Sequence, residues 1–103
     1  MIKEKSKHQV VVFMAEWCPH CKNMKDHTWK NEDVLNAVKP YHGGKPAFVV
    51  CSKPQNRHLV QEFDIERYPT VVIMDEDHNV TKQANNMSPE EVIEFLEKLE
   101  EEE

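Results

Sequence analysis

Two cysteines separated by two residues, Cys18 and Cys21, are the part of this chain best suited to chemistry. At this spacing their sulfur atoms can touch. They follow an apolar run of strand length, Val10 to Met14, which predicts a buried strand leading into the N-terminus of a helix. Unpaired backbone N–H groups and the positive end of the helix dipole stabilise a thiolate there. We therefore expect disulfide exchange, which needs an accessible thiolate and a second thiol nearby.

The two residues between the cysteines agree with this placement. Pro19 would occupy the first turn of the helix, where proline costs no intrahelical hydrogen bond. An imidazolium at His20 would favour a neighbouring thiolate. At a helix start the first cysteine is the more exposed and the residue three further on faces inward. Cys18 is therefore expected to attack and Cys21 to resolve the mixed disulfide.

A metal site is the alternative interpretation of the same pair. Cys18 and Cys21 could be half of a zinc site, but two more ligands would be needed, and Cys51 and the six histidines show no paired metal spacing. We expect no metal. Cys51 lies in an apolar run, where a free cysteine behaves as a small hydrophobic residue.

Length, net charge and the N-terminal residues limit the number of domains, the classes of partner and the compartment. The 103 residues are expected to form a single domain, 1–103, and the net charge of -6 offers no attraction to phosphate backbones or anionic lipid. We expect no nucleic-acid and no membrane partner. The residues before Val10 do not resemble a secretory signal, which predicts a cytoplasmic protein, or a periplasmic or secreted one if a leader has been removed.

The elements that position the cysteines are predicted from periodicity, capping residues and turn residues. In chain order they are a helix from Pro19 to Trp29, a helix capped by Asn31 and closed by Pro40, a buried strand Ala47 to Cys51, a helix from Asn56, strands Thr70 to Met74 and Val80 to Gln83, and a helix opened by Ser88 to Glu91. The residues predicted to face the core from the helices are Cys21, Met24, Thr28, Val34, Leu35, Val38, Leu59, Val60, Phe63, Val92, Phe95, Leu96 and Leu99. The early alternation of strand and helix indicates parallel strands, and the last two strands indicate a hairpin.

The segment Ala15-Glu16-Trp17-Cys18, followed by Cys21 and Lys22, resembles the active-site segment of the thioredoxin superfamily. The Pro19-His20 pair resembles the bacterial periplasmic disulfide oxidases in particular. The resemblance runs from Val10 to about Leu99 and implies an α/β, minimal thioredoxin fold, with a mixed central sheet of about four strands flanked by helices. The N-terminal strand and helix of many thioredoxins are expected to be reduced or absent here. The Ala47 to Cys51 strand would then be an edge, or be covered by the N-terminal segment.

The same resemblance implies further site residues. Tyr68-Pro69-Thr70 looks like the family's element in which a cis proline faces the cysteine pair and leaves the preceding backbone free to pair with substrate. Trp17 corresponds to an exposed aromatic platform, so Trp17 and Tyr68 are expected to bind substrate and Pro69 to act in catalysis. Trp29, by contrast, is expected in the core.

One position departs from the thioredoxin pattern. Thioredoxins proper carry a buried acid six residues before the first cysteine, and here that position is Val12. Water or another base must deprotonate Cys21, and Glu16 is the weaker of these candidates because it is expected to be exposed.

These features predict a thiol–disulfide oxidoreductase without a bound cofactor. Its partners would be protein disulfide or dithiol substrates and a reductase such as thioredoxin reductase, or an oxidase, and the chain would act as a monomer. A glutaredoxin-like, glutathione-dependent enzyme is an alternative, although the region after Met74 lacks that family's Gly-Gly turn. A non-enzymatic binding subunit using the surface around Trp17 and Tyr68 is another.

Overall fold

The structure, a computed structural model, describes residues 7–85 and 88–97. A four-stranded sheet of order β2-β1-β3-β4 forms its centre. The strands are β1 Gln9–Met14, β2 Ala47–Val50, β3 Thr70–Met74 and β4 Val80–Ala84. β1 pairs in parallel with β2 and antiparallel with β3, which in turn pairs antiparallel with β4. This mixed sheet, flanked by helices, confirms the predicted fold class.

In the described residues, four α-helices cover the sheet, namely α1 Pro19–Asp26, α2 Glu32–Val38, α3 Arg57–Glu62 and α4 Pro89–Glu97. Short 3-10 turns occupy Thr28–Lys30, His42–Gly44 and Pro54–Asn56. The predicted capping box of α4 is present: the Ser88 N–H donates to Glu91 Oε1 at 3.1 Å, and the Glu91 N–H donates to Ser88 Oγ at 3.4 Å. None of the helices in the described ranges is long and apolar enough to cross a membrane.

The sheet separates two apolar clusters. Alternate residues of β1 enter each cluster, with Val10 and Val12 on the side of α1, α2 and α4, and Val11 and Phe13 on the side of α3. Because both faces of β1 are covered, its run of apolar residues is explained by burial on both sides.

The helix after the cysteines ends earlier than predicted. α1 stops at Asp26, and a 3-10 turn carries Thr28 and Trp29 into the core. In a continuous α-helix Trp29 would be rotated about 140° from Met24. The break lets both side chains enter the same cluster, in which Met24 is 1% and Trp29 4% exposed.

Other boundaries and burial assignments also differ from the predictions. Leu35, expected to face inward, is exposed, because α2 buries Val34 and Val38 on a stripe one position away. β2 ends at Val50, one residue earlier than predicted. In the described part of the chain it is an edge strand, as the resemblance implied, so it is not buried on both faces and Phe48 is exposed.

The remaining corrections are small. α3 begins one residue after the predicted Asn56, because the preceding residues form the 3-10 turn. Its inward residues are half-buried against the second cluster. The predicted core position Leu99 lies outside the described residues.

Candidate active site

Cys18 is the N-cap residue of α1. After β1 ends, the Cys18 N–H donates to the Ala15 carbonyl at 3.2 Å, and an extended backbone at Cys18 leads into Pro19 in the first turn. The Cys18 sulfur accepts a hydrogen bond from the Cys21 N–H at 3.3 Å. An N-cap acceptor that becomes negatively charged gains from both this N–H and the helix dipole. The structure therefore places the Cys18 sulfur at the start of the helix with a backbone donor, as the sequence predicts.

Cys21 lies one turn further along α1 and faces the interior. It is 1% exposed against 6% for Cys18, so the expected order of exposure is present, but Cys18 is itself more covered than a freely accessible thiol. Burial, followed by the hydrogen bond and charge of Cys18, raises the pKa of Cys21 to about 12. Cys21 is therefore a protonated thiol at neutral pH, which suits the resolving role.

The turn before β3 covers the cysteine pair. Antiparallel pairing places Phe13 opposite Thr70, so the start of β3 meets the end of β1 at one edge of the sheet. The Cys18 thiol donates to the Tyr68 carbonyl oxygen at 3.6 Å, and the Tyr68–Pro69 peptide bond is cis. Pro69 is buried. The structure thus brings the predicted Pro69 element against Cys18 across a sequence separation of 50 residues.

An aromatic pair flanks Cys18 on the surface. Trp17 is 72% exposed, and its ring lies edge-on to the ring of Tyr68 with centroids 5.8 Å apart. Tyr68 also packs against the cluster that contains both cysteines. The exposed apolar area next to the Cys18 sulfur is suited to contact another polypeptide chain.

The remaining predicted site residues lie around this centre. Pro19 and His20 are exposed on the first turn of α1. Val12 is 1% exposed inside the apolar cluster, and Glu16 is an exposed residue tied to Ser52. The Glu16 N–H donates to Ser52 Oγ at 3.1 Å, and the Ser52 hydroxyl donates to Glu16 Oε1 at 3.3 Å.

A groove next to the cysteines offers a route for protons. It has a volume of about 350 Å³ and is lined by Cys18 and Cys21 together with Glu16, Lys22 and Asp26. Water in this groove could exchange protons with Cys21. Both carboxylates are exposed on its rim.

Sequence reasoning missed a contact behind Tyr68. Cys51 is 2% exposed, as expected for a small hydrophobic residue, and Tyr68 packs against the apolar cluster to which Cys51 belongs. Burial raises the pKa of both Cys51 and Tyr68. The available signal was that Cys51 follows β2, which runs parallel to β1 and so ends at the same edge as the cysteine pair.

Within residues 7–85 and 88–97, no three His, Cys, Asp or Glu side chains are grouped in a way that could hold a metal ion.

Comparison with known proteins places the chain in a family. A family model described as Thioredoxin matches residues 1–98. The chain belongs to the thioredoxin family. Protein disulfide-isomerase A5 of Mus musculus is 36% identical over 67 residues, which are 65% of this chain and 12% of that protein. This member of the thioredoxin family thus spans a small part of the length of that relative.

Solved structures share the fold. The C-terminal domain of Neisseria meningitidis DsbD in its oxidised form matches with a TM-score of 0.75 at 23% identity, covering 89% of this chain and 79% of that chain. A thioredoxin from Thermus thermophilus matches with a TM-score of 0.76 at 18% identity, covering 90% of this chain and 73% of that chain. At these identities the likeness is one of fold.

Proposed function

We propose that this thioredoxin-family chain is a thiol–disulfide oxidoreductase that acts on protein disulfides through Cys18 and Cys21. The observation that carries the proposal is the environment of Cys18: its sulfur accepts the Cys21 N–H at the start of α1 and lies 3.6 Å from the Tyr68 carbonyl oxygen. Membership of the thioredoxin family and the similarity to a protein named a disulfide-isomerase support it.

The reaction proceeds in two exchanges. The Cys18 thiolate attacks one sulfur of the substrate disulfide, forming a mixed disulfide and releasing the other substrate sulfur as a thiolate. Cys21 then loses its proton and attacks the Cys18 sulfur, which breaks the mixed disulfide and releases the second substrate thiolate. The released thiolates take up protons from water. Two electrons pass from the Cys18–Cys21 dithiol to the substrate, and the reverse sequence oxidises a dithiol substrate.

Formation of the mixed disulfide itself activates Cys21. In the free dithiol, burial and the Cys18 thiol both raise the pKa of Cys21. Once Cys18 is bonded to the substrate, it no longer carries a thiol or a negative charge, so of these causes only burial still raises the pKa of Cys21. The pKa of Cys21 therefore falls towards its ordinary value at the step in which its thiolate is required, and water in the adjacent groove can accept the proton.

The substrate chain would lie across the aromatic pair and the turn before β3. Trp17 and the half-buried Tyr68 supply apolar surface on one side of Cys18, and the buried Pro69 holds the Tyr68 backbone next to the reacting sulfur. His20, exposed beside Cys18, would add positive charge when protonated and favour the thiolate.

The direction of the reaction, the electron partner and the compartment are linked, because a reductase and an oxidase work in different compartments. We place the chain in the cytoplasm as a monomeric single domain, reduced by a reductase such as thioredoxin reductase, and its low cysteine count is common there. In a periplasmic or secreted setting the partner would instead be an oxidase.

Reduction of insulin disulfides with dithiothreitol as electron donor tests the proposal. Wild-type protein should accelerate precipitation of the insulin B chain, and Cys18→Ser should not. Reduced Cys21→Ser, mixed with insulin after removal of dithiothreitol, should accumulate a mixed disulfide with insulin through Cys18, detectable by mass spectrometry. Glutathione-dependent reduction of a small mixed disulfide, assayed in parallel, should be the weaker activity. Stronger activity with glutathione would indicate a glutaredoxin-like enzyme, and inactivity in both assays would indicate a binding subunit.

A further inference from the structure

Asn85 follows β4, the last strand in the sheet order, and its side chain reaches the turn that covers Cys18. β4 pairs with β3 so that Ala84 is opposite Val71, and the next residue, Asn85, is therefore carried to the start of β3. Its Nδ2 donates to Thr70 Oγ1 at 3.1 Å and to the Pro69 carbonyl oxygen at 3.5 Å. Because a carbonyl oxygen only accepts hydrogen bonds, the amide must present its NH₂ group to the turn.

Thr70 extends this connection to the other end of the turn. Its hydroxyl accepts from Asn85 and donates to the Arg67 carbonyl oxygen. Thr70 is 1% exposed, so a lost partner would leave a buried hydroxyl incompletely bonded. Since the hydroxyl is donor and acceptor at once, its two bonds reinforce each other.

These bonds involve the carbonyl groups of three consecutive residues, Arg67, Tyr68 and Pro69, which accept hydrogen bonds from different partners. The carbonyls of Arg67 and Pro69 are tied to Thr70 and Asn85, whereas the carbonyl between them, that of Tyr68, accepts from the Cys18 thiol at 3.6 Å. With the peptide units on both sides held, the Tyr68 carbonyl has little freedom to turn away from Cys18.

We propose that Asn85 is a positioning residue for disulfide exchange, which holds the Tyr68 backbone in register with Cys18 through Thr70 and Pro69. The inference rests on the proposed function. It assigns Asn85 a role at the same site without contact to the reacting sulfur.

Two opposite effects of releasing the turn follow. The Tyr68 backbone would no longer be fixed where a substrate strand pairs with it, so exchange with a protein substrate should slow. The turn also covers Cys18, which is 6% exposed, so its displacement should uncover the sulfur and speed alkylation by a small reagent. A side chain that only stabilised the fold would not move the two rates in opposite directions.

The variants are Asn85→Ala, Thr70→Val and the double variant, with Thr70→Ser as the conservative change. Gln83→Ala is the matched control, because Gln83 is exposed on β4 and lines the same polar cavity of about 280 Å³ as Asn85 and Thr70. The measurements are the rate constant for insulin reduction, the rate of iodoacetamide labelling of Cys18, and the thermal midpoint of each folded protein.

Asn85→Ala should slow insulin reduction about fivefold, the loss expected for one hydrogen bond, and should speed labelling of Cys18. Thr70→Val should do the same, the double variant should be no slower than the slower single variant, and Thr70→Ser and Gln83→Ala should react like wild type. Unchanged rates in Asn85→Ala, or equal losses in Gln83→Ala, would overturn the inference.

If wild-type protein does not reduce insulin, the proposed function fails, and the positioning role is then decided by the labelling rate of Cys18 alone. Faster labelling in Asn85→Ala than in Gln83→Ala would support the role, and equal labelling rates would refute it.

Discussion

At the scale of single residues, the surroundings of Cys18 and Cys21 differ in ways that support the proposed order of reaction, with Cys18 first. Cys18 accepts an N–H at the start of α1, whereas burial and Cys18 raise the pKa of Cys21 to about 12. Cys51 is buried, and its pKa is raised too. Limited iodoacetamide treatment of the reduced protein near neutral pH should therefore label Cys18 at least about tenfold faster than either other thiol.

Peptide mapping by mass spectrometry measures this order directly. Cys18→Ser is the control, and in it no cysteine should label rapidly. Labelling of Cys21 or Cys51 before Cys18 would show that the attacking and resolving roles are assigned incorrectly.

The same raised pKa makes the stability of the reduced protein depend on pH. A thiol whose pKa is higher in the folded state than in the unfolded state stabilises the fold below its ordinary pKa, which for Cys21 is 9.0, and this contribution is lost as the pH rises towards about 12. The urea midpoint of the reduced protein should fall as the pH rises above about 9. Cys21→Ser should flatten this dependence without abolishing it, because the pKa values of Cys51 and Tyr68 are raised as well. A midpoint with the same dependence in wild type and Cys21→Ser would show that Cys21 titrates normally.

At the scale of elements, α2 depends on its cap. Asn31 Oδ1 accepts the N–H groups of Asp33 and Val34 at 2.9 and 3.3 Å. Asn31→Ala should lower the free energy of unfolding by about 1 kcal/mol, and Asn31→Asp, which keeps an acceptor oxygen, should restore most of it. Urea denaturation measures both. Insulin reduction per folded molecule should stay unchanged, since Asn31 does not touch the site, and a loss of activity at full folding would contradict that assignment.

Elements defined by neighbours in sequence could be predicted, whereas their environments could not. The Asn31 cap and the Ser88–Glu91 capping box each involve residues within three positions of one another, so the sequence displays them. The exposure of Phe48 depends on β2 being the edge of the sheet, which its own apolar run does not reveal.

In the candidate site, too, some features could be predicted from the sequence and others could not. The cysteine spacing and the resemblance around Tyr68-Pro69 predicted which segments meet. The Asn85–Thr70 bond depends on the register of β4 against β3, and the Cys51–Tyr68 contact depends on where β2 ends. Both are consequences of strand pairing between distant segments, for which a single sequence carries no local signal.

At the scale of the whole molecule, the two apolar clusters share their strands. β1 and β3 each contribute alternate residues to both, so Val10 and Ile73 belong to one cluster and Val11 and Val72 to the other. Loss of packing on either side must disturb the strands that support the opposite side. The described part of the chain should therefore unfold as one unit, in agreement with the predicted single domain.

A matched pair of conservative substitutions tests this coupling. Ile73→Val removes one methylene from the cluster next to α1, α2 and α4, and Ile65→Val removes one from the cluster next to α3. Each should lower the free energy of unfolding by about 0.5–1.5 kcal/mol. In a Trp17→Phe background Trp29 is the only tryptophan of the sequence, and it lies in the first cluster. If the domain is cooperative, Ile65→Val should shift the urea transition seen by Trp29 fluorescence as much as the transition seen by circular dichroism, and so should Ile73→Val. A shift in circular dichroism that Trp29 does not report in Ile65→Val would mean that the two sides of the sheet unfold separately.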